Sequence, residues 1–333
     1  MTSDSIFASR RQVLQAGTVL TLASSTPLLR AQQAGWPVKP VKMVVGSPPG
    51  GPSDFLGRMM ADGVGPGFGQ AFVIENKPGA SGVPAAESVV RSPADGHTLL
   101  VSGPASIVVN PQLIKAPYDP IKDLTPICCL GAGAFVLAVH PSVPANNLQE
   151  LIALARAKPG ALNYGSGGNG SSGHLATELF SSLTGVRMTH VPYKGDGQAV
   201  GDLISGQVQL MFSAPNVLLP HVKSGKLRLI AVTTRERVAS LPEAPTVHEQ
   251  GVRDFEYLGW IIVFAPAGTP RHVIDQLSAA WAKAKTAQAV RDRLHSLAMS
   301  PPDRLSTPDA LAEFVKIEYA RLGKVIKEAN ITV

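Results

Sequence analysis

Short apolar segments alternate with helical patterns along the chain from about residue 36 onward. The apolar segments are short enough to be strands and are bounded by glycine, proline and other turn residues. The predicted strands are Val41–Ser47, Phe72–Asn76, Thr98–Ser102, Ile127–Val139, Leu162–Ser166, Met188–Pro192, Gln209–Ser213, Leu227–Thr233 and Trp260–Ala265. This alternation predicts an α/β fold of largely parallel sheets with helices on their faces.

Helical segments are marked by residues that cap or end helices. Leu148–Ala157 follows Asn147, a favourable N-cap residue, and stops at Pro159-Gly160. The other predicted helices are Asp54–Val64, Pro84–Val90, Ser172–Leu183, Gln198–Ile204, Asn216–Lys223, Pro270–Thr286, Gln288–Leu297 and Pro308–Glu328, with Ser306 or Thr307 capping the last. The 333 residues suit two domains, and no repeat or low-complexity linker separates them. We therefore expect domains whose chains cross over.

The N-terminus is predicted to be a signal peptide. Residues 9–14, S-R-R-Q-V-L, resemble a twin-arginine export motif, and a mildly apolar run follows over Val13–Leu29. Cleavage near Ala31 or Ala34 is expected, with residues 1–31 as the signal. The alternative is a short basic amphipathic helix. No cysteine precedes Cys128, so there is no lipoprotein attachment point, and we expect a protein free in the periplasm.

The charge and the cysteines exclude several classes of protein. The net charge is +6, and removal of residues 1–31 takes away three arginines and one aspartate and leaves +4. The basic residues are scattered and aromatics are 5%, so nucleic-acid binding is not supported. Cys128 and Cys129, the only cysteines, are adjacent. They fit disulfide geometry badly and are predicted to be small apolar residues in a strand.

A glycine-rich turn, Ser47–Asp54 (S-P-P-G-G-P-S-D), joins a predicted strand to a predicted helix. Gly50 and Gly51 permit a tight turn, and Ser53 or Asp54 can cap the helix. Amide N–H groups at such a helix start can bind an anion, most simply a carboxylate. Taken alone, the pattern also fits an ordinary strand–turn–helix junction.

Three more loops of this kind follow strands. With Ser47–Asp54 as the first loop, the second is Asn76–Gly82, the third Gly165–His174 and the fourth Val191–Gly195. Ligands of open α/β sheets bind at the carboxyl ends of the strands. Four such loops are more than turn chemistry requires, and they predict a small-ligand site made of backbone N–H groups and hydroxyls.

Motifs for catalysis or nucleotide binding are weak or absent. Gly165, Gly167 and Gly170 match G-x-G-x-x-G, but no acidic residue lies about 20 positions further on. There is no phosphate-binding G-x-x-x-x-G-K-[ST] and no G-x-S-x-G. His174 lies beside Ser171 and is expected to pack or to hydrogen-bond locally. The sequence therefore predicts no catalytic residues, no metal site and no cofactor, and an exported hydrolase using His174 is the least favoured alternative.

The loops and their neighbours resemble a known family. The motifs occur in order along the mature chain: P-P-G-G-P-S-D (48–54), E-N-K-P-G-A-S-G (75–82), D-G-H-T-L-L (95–100), G-N-G-S-S-G-H-L-A (168–176), P-Y-K-G (192–195), L-P-E-A-P-T-V-H-E-Q-G (241–251) and A-P-A-G-T-P (265–270). Together they look like the Bug family, the TctC-like substrate-binding receptors of tripartite tricarboxylate transporters. The resemblance covers essentially the whole mature chain.

The resemblance implies a type II periplasmic binding-protein fold, with two α/β lobes, a ligand cleft and two crossing hinge segments. Lobe 1 would comprise 36–137 plus 260–333, and lobe 2 would comprise 138–259. In the family the first two loops hold a ligand carboxylate, partly through ordered waters, and second-lobe loops discriminate the other end. The residues implied here are Ser47, Pro49, Gly50, Gly51, Ser53, Asp54, Gly79, Ala80, Ser81, Gly82, Ser166, Gly167, Asn169, Ser171, His174, Tyr193 and Lys194.

The implied function is capture of a small organic carboxylate by a monomeric periplasmic receptor that delivers it to a tripartite tricarboxylate-type permease. The alternative is a ligand sensor that feeds a membrane signalling partner. Two positions depart from the family pattern. Ser47 stands where a bulky residue is common, and Pro84-Ala85 replace the usual N-I-G-like residues. Both lie beside the expected cleft, so the identity of the ligand is not inherited.

Overall fold

The computed structural model describes residues 35–300 and 303–332. The predicted signal peptide, residues 1–31, lies outside the described residues. From Lys39 onward the chain forms one compact unit. Among the described residues, no helix is long and apolar enough to cross a membrane.

Strands and helices alternate in the described residues. The strands are β1 Val41–Val45, β2 Phe72–Asn76, β3 Thr98–Ser102, β4 Leu124–Ala134, β5 Val136–Val139, β6 Asn163–Ser166, β7 Thr189–Pro192, β8 Leu210–Ser213, β9 Arg228–Val232 and β10 Leu258–Pro266. The α-helices are α1 Pro52–Phe68, α2 Val83–Val90, α3 Asn110–Leu113, α4 Pro120–Asp123, α5 Leu148–Ala157, α6 Ser172–Thr184, α7 Asp196–Ser205, α8 Pro215–Lys223, α9 Arg271–Ala284, α10 Gln288–Ser296 and α11 Pro308–Glu328.

Two five-stranded sheets, each with helices, form two α/β lobes. The first sheet has the order β2-β1-β3-β10-β4 and the second the order β7-β6-β8-β5-β9. In the first sheet, β1 runs parallel to β2 and β3, whereas β10 runs antiparallel to β3 and β4. In the second, β6 runs parallel to β7 and β8, and β5 runs antiparallel to β8 and β9. The expectation of largely parallel sheets is therefore wrong, because both sheets are mixed.

The chain passes between the sheets at two places. The predicted strand Ile127–Val139 is in fact two strands, since β4 ends at Ala134 in the first sheet and β5 begins at Val136 in the second. The return passage ends where β10 begins, at Leu258. Phe135 and Tyr257 thus mark the two crossings, and their rings meet edge to face with centroids 5.5 Å apart.

The core is built from continuous apolar strands. In β4 every residue except Thr125 is buried, which includes Cys128 and Cys129. Both cysteines are free thiols, and the expectation that they serve as small apolar residues in a strand is confirmed. The ammonium group of Lys285 donates a hydrogen bond to the Cys129 carbonyl oxygen at 3.0 Å.

Several helix boundaries follow the predicted capping chemistry. Helix α5 spans the predicted residues, and the Asn147 side chain accepts a hydrogen bond from the Glu150 N–H at 2.9 Å. Helix α11 also has the predicted bounds, and Thr307 is its cap. These side chains satisfy N–H groups that lack an acceptor within the helix.

Candidate ligand-binding site

The first loop turns between β1 and α1 through two glycines. Gly50 has φ +86°, a backbone conformation that glycine adopts without strain. Gly51, in extended conformation, is the N-cap of α1, and no side chain caps the helix. The expectation that Ser53 or Asp54 caps it is wrong, because both lie inside its first turn. The N–H groups of these two residues therefore have no acceptor within the helix.

Asp54 instead organises the loop from inside the helix. Its buried carboxylate accepts hydrogen bonds from the Gly50 N–H at 2.9 Å and from the Asn76 amide at 2.9 Å. Arg58 approaches both carboxylate oxygens, at 2.9 and 3.1 Å. Burial opposes ionisation, but the hydrogen bonds from Arg58, Gly50 and Asn76 outweigh it and lower the pKa of Asp54 to about 2. Asp54 is thus a structural anion.

The second loop is joined to the first. Asn76 also donates to the Ser47 carbonyl oxygen at 3.0 Å and accepts from Arg58 at 3.0 Å. The backbones of Gly46 and Gly82 touch, since a Cβ added at Gly46 would lie 2.8 Å from the Cα of Gly82. Only glycine permits so close an approach. The two loops consequently form one surface.

The backbone of the second loop adopts unusual conformations. Gly79 and Gly82 have φ +114° and +91°, and Ser81 has φ +51°. Residues Ala80–Gly82 form a single 3₁₀ turn that leads into α2. A left-handed conformation at a non-glycine residue costs free energy and is typical of functional loops. Ser81 and Gly79 are exposed, so this turn presents its backbone to solvent.

Ser47 contributes a hydroxyl to this surface. Its oxygen is buried and has no hydrogen-bond partner among the described residues. A Cβ added at Gly51 would lie 3.6 Å from that oxygen, so the hydroxyl lies beside the start of α1. Buried polar groups are normally paired. The first loop therefore offers an unused hydroxyl beside Gly51, the residue that precedes the first turn of α1.

The third loop is braced by its own hydroxyls and by two histidines. The buried Ser166 hydroxyl bonds with His190 Nε2 at 2.7 Å, and the Gly168 N–H donates to it at 3.2 Å. Ser171 caps α6 by accepting from the His174 N–H at 3.4 Å. His174 Nδ1 accepts from the Gly170 N–H at 3.1 Å. The expectation that His174 packs and hydrogen-bonds locally is confirmed.

The other predicted site residues of the second lobe differ in their exposure and in their contacts. Asn169 and Lys194 are exposed. The Tyr193 hydroxyl donates to Asp202 at 2.6 Å, and burial followed by this bond raises the pKa of Tyr193 to about 12. Gly167 lies against Asp196, whose carboxylate a Cβ at Gly167 would overlap. Gly167 therefore contacts the first residue of α7, and Gly168 lies against the Tyr193 carbonyl oxygen of the fourth loop, since a Cβ added at Gly168 would lie 3.1 Å from it.

The sheet directions place each pair of loops at the edge of its sheet that the crossing at Phe135 connects. Because β10 is antiparallel to both β3 and β4, β4 ends at the edge where β1, β2 and β3 end. The chain leaves the first sheet at this edge. Because β5 is antiparallel to β8, it starts at the edge of the second sheet where β6 and β7 end. The crossing therefore joins the edge with the first two loops to the edge with the other two.

Three residues of this arrangement were missed by sequence reasoning. Arg58 lies one helical turn after Asp54, a spacing that could have suggested the ion pair. Asn76 belongs to the predicted second loop, but its pattern indicates no specific role. His190 had no local signal, because it meets Ser166 only through the pairing of β6 with β7.

A known family matches most of the chain. The model of the family described as "Tripartite tricarboxylate transporter family receptor" matches residues 56–331. The chain belongs to this family. Its relatives include Protein BugT of Bordetella pertussis, 34% identical over 297 residues that cover 89% of this chain and 90% of BugT. A protein encoded in the tcbD-tcbE intergenic region of Pseudomonas sp. (strain P51) is 35% identical over 97% of this chain and 95% of its own.

Solved structures of the family show the same fold. The R. palustris protein Rpa4515, solved with adipate, is 36% identical with a TM-score of 0.72, over 89% of this chain and 99% of that one. MatC from Rhodopseudomonas palustris, solved with bound malate, is 32% identical with a TM-score of 0.70, over 87% and 99%. This family member therefore has the type II periplasmic binding-protein fold that the resemblance implied.

Proposed function

We propose that this protein is a periplasmic receptor that captures a small carboxylate between its two lobes and delivers it to a tripartite tricarboxylate-type permease. The observation that carries the proposal is the start of α1, where no side chain caps the N–H groups of the first turn and the unpaired Ser47 hydroxyl lies beside the N-cap residue Gly51. Such a group of donors suits a carboxylate. Adipate and malate in the related structures support the same ligand class.

The binding surface has little free positive charge in the first two loops. The guanidinium of Arg58 is held by Asp54, and Lys77 is paired with Glu75 at 3.2 Å. A carboxylate would then be held by backbone N–H groups, hydroxyls and bridging waters, which can replace an arginine fork. Capture proceeds by closure of the lobes, since only the closed form allows both pairs of loops to contact one ligand.

We further propose the lobe division 36–137 plus 260–333 and 138–259, with the hinge at the crossings marked by Phe135 and Tyr257. The receptor acts as a monomer and performs no chemistry on its ligand. Export of the chain by a twin-arginine signal and residence in the periplasm belong to the same proposal.

Thermal unfolding against a panel of mono-, di- and tricarboxylates, with adipate and malate included, tests the function. A ligand that binds only the native state stabilises it by about 2.7 kcal/mol at a hundredfold excess over Kd. Gly51→Val places a branched side chain against the Ser47 hydroxyl and should abolish the shift. Gly67→Val, on the exposed part of α1 with open space around it, should retain it. No shift with any carboxylate, and no copurified acid by mass spectrometry, would reject the proposal.

A further inference from the structure

Two histidines from different elements meet behind the third loop. His174, in the first turn of α6, and His190, on β7, have ring centroids 3.8 Å apart and an interplanar angle of 16°. The ring of Tyr164, on β6, stacks against His190 at 4.8 Å. The imidazoles are thus in direct contact.

Each imidazole holds one end of the third loop. His174 Nδ1 accepts from the Gly170 N–H, so this nitrogen carries no proton and His174 is neutral. His190 Nε2 bonds with Ser166, whose hydroxyl also bonds with the N–H and the carbonyl oxygen of Gly168 at 3.2 Å. A proton added at His174 Nδ1 would face the Gly170 N–H and break that bond.

The surroundings of the rings disfavour a positive charge. His174 is 6% exposed. Burial, followed by the neighbouring His190, lowers the pKa of His174 to about 3, and burial lowers that of His190 to about 4. The nearby titratable groups are Tyr164 and Glu178, which bond to each other, and Asp196 of α7 beside Gly167. Burial raises the pKa of the Glu178 carboxyl.

We propose that His174 and His190 are a positioning pair, which as stacked neutral imidazoles fixes the third loop in its ligand-binding form, so that protonation of His174 releases the loop and weakens binding. His174 then acts through the loop instead of touching the ligand. The effect on affinity rests on the proposed function, whereas the effect on the loop does not.

The expected pH dependence follows from the direction of the shifts. A released loop exposes imidazoles with an ordinary pKa near 6.5, and the held loop has lower values. The held form is therefore fully favoured above about pH 6.5 and loses this advantage as the pH falls from there toward about 4. The loop is expected to loosen in that window.

Paired variants separate positioning from packing. His174→Asn keeps an acceptor at the position of Nδ1 and cannot titrate, whereas His174→Leu removes the acceptor. His190→Gln and His190→Leu form the second pair. The first readout is the ¹⁵N–¹H NMR signals of Gly168 and Gly170 in the ligand-free protein between pH 7.5 and 4.5. The second readout is the Kd for adipate over the same pH range. The titration of adipate itself is identical for every variant, so a difference between variants comes from the protein.

In the native protein, the two glycine signals should move as the pH falls, and the Kd for adipate should rise by about tenfold. His174→Asn should keep the affinity at pH 7.5 with a flatter profile, and His174→Leu should weaken binding by about tenfold at every pH. The proposal would be overturned if the Gly168 and Gly170 signals of the native protein do not move with pH. It would also be overturned if these signals have the same positions in His174→Leu as in the native protein. If adipate does not bind while the signals behave as stated, the positioning pair stands and adipate is excluded as the ligand.

Discussion

The Thr233 hydroxyl donates a hydrogen bond to the Tyr257 carbonyl oxygen at 2.7 Å. The Thr233 hydroxyl oxygen in turn accepts a hydrogen bond from the Phe135 N–H at 2.7 Å. Thr233 is fully buried, and its own N–H and carbonyl oxygen bond to Phe135 and Tyr257 as well. One side chain therefore ties together the two crossings between the lobes, where we propose the hinge.

Thr233→Val preserves the shape of this side chain and removes its hydroxyl. The change leaves a buried N–H and a buried carbonyl oxygen without their partner, so the free energy of unfolding should fall by about 1–3 kcal/mol. Ligand affinity should also change, because the hinge is altered. Urea unfolding and calorimetric titration measure the two effects. Thr189→Val is the control, because it loses only one hydrogen bond, to Gly160, at an exposed position. It should change the free energy of unfolding and the ligand affinity little. Equal changes in Thr233→Val and Thr189→Val would contradict the hinge role.

Asp54→Asn removes the charge that organises the first two loops. The folded pKa of Asp54 is lowered to about 2, so its stabilising contribution is complete above the unfolded value near 4 and is lost as the pH falls toward 2. At pH 7 the variant should lose about 2 kcal/mol of unfolding free energy. Denaturant unfolding between pH 7 and 2.5 should show that the unfolding free energies of the native protein and of Asp54→Asn become equal as the pH falls. Asp62→Asn, on the exposed side of α1, is the control, and a constant gap at all pH values would refute the interpretation.

Gly46→Ala should separate the first two loops. The new methyl group would lie 2.8 Å from the Gly82 Cα, so backbone must move, at a cost of about 1–3 kcal/mol. Carboxylate binding should be lost with a fold that remains intact by circular dichroism. Gly67→Ala meets no atom within 4 Å and should stabilise α1 by up to about 1 kcal/mol. Normal affinity in Gly46→Ala would show that the loops bind independently.

Ser47→Ala tests the unpaired hydroxyl. Because that hydroxyl has no partner among the described residues, its removal should leave the free energy of unfolding unchanged or raise it by up to about 1 kcal/mol. Carboxylate affinity should nevertheless fall by about tenfold. Ser47→Thr keeps a hydroxyl and should restore most of the binding measured by calorimetry. A full-affinity Ser47→Ala protein would remove this hydroxyl from the site.

The helices and loops were predictable because they depend on neighbouring residues. The order and direction of the strands were not predictable, because they depend on pairing between distant residues. Asn147 and Thr307 mark the starts of α5 and α11 because capping depends on a few neighbouring residues. The break at Phe135 carries no such signal, since apolar residues continue on both sides of it. The antiparallel place of β10 between β3 and β4 depends on partners more than a hundred residues away.

The candidate site follows the same division. Gly50 and Gly82 could be recognised as turn residues from the sequence, since each needs a positive φ. The partners of Asp54 were not predictable as a set, because Asn76, the last residue of β2, comes close to Asp54 only through the parallel pairing of β2 with β1. His190 became part of the site only when β7 was placed beside β6.

Because the adjacent cysteines in β4 are buried as free thiols, this protein needs no oxidant in order to fold. Burial raises the pKa of the Cys128 thiol and raises that of Cys129 to about 12, so neither forms the thiolate that disulfide exchange requires. The native state contains no covalent cross-link to be made or broken. The chain can accordingly mature under reducing or oxidising conditions alike, and reductant should leave its melting temperature unchanged.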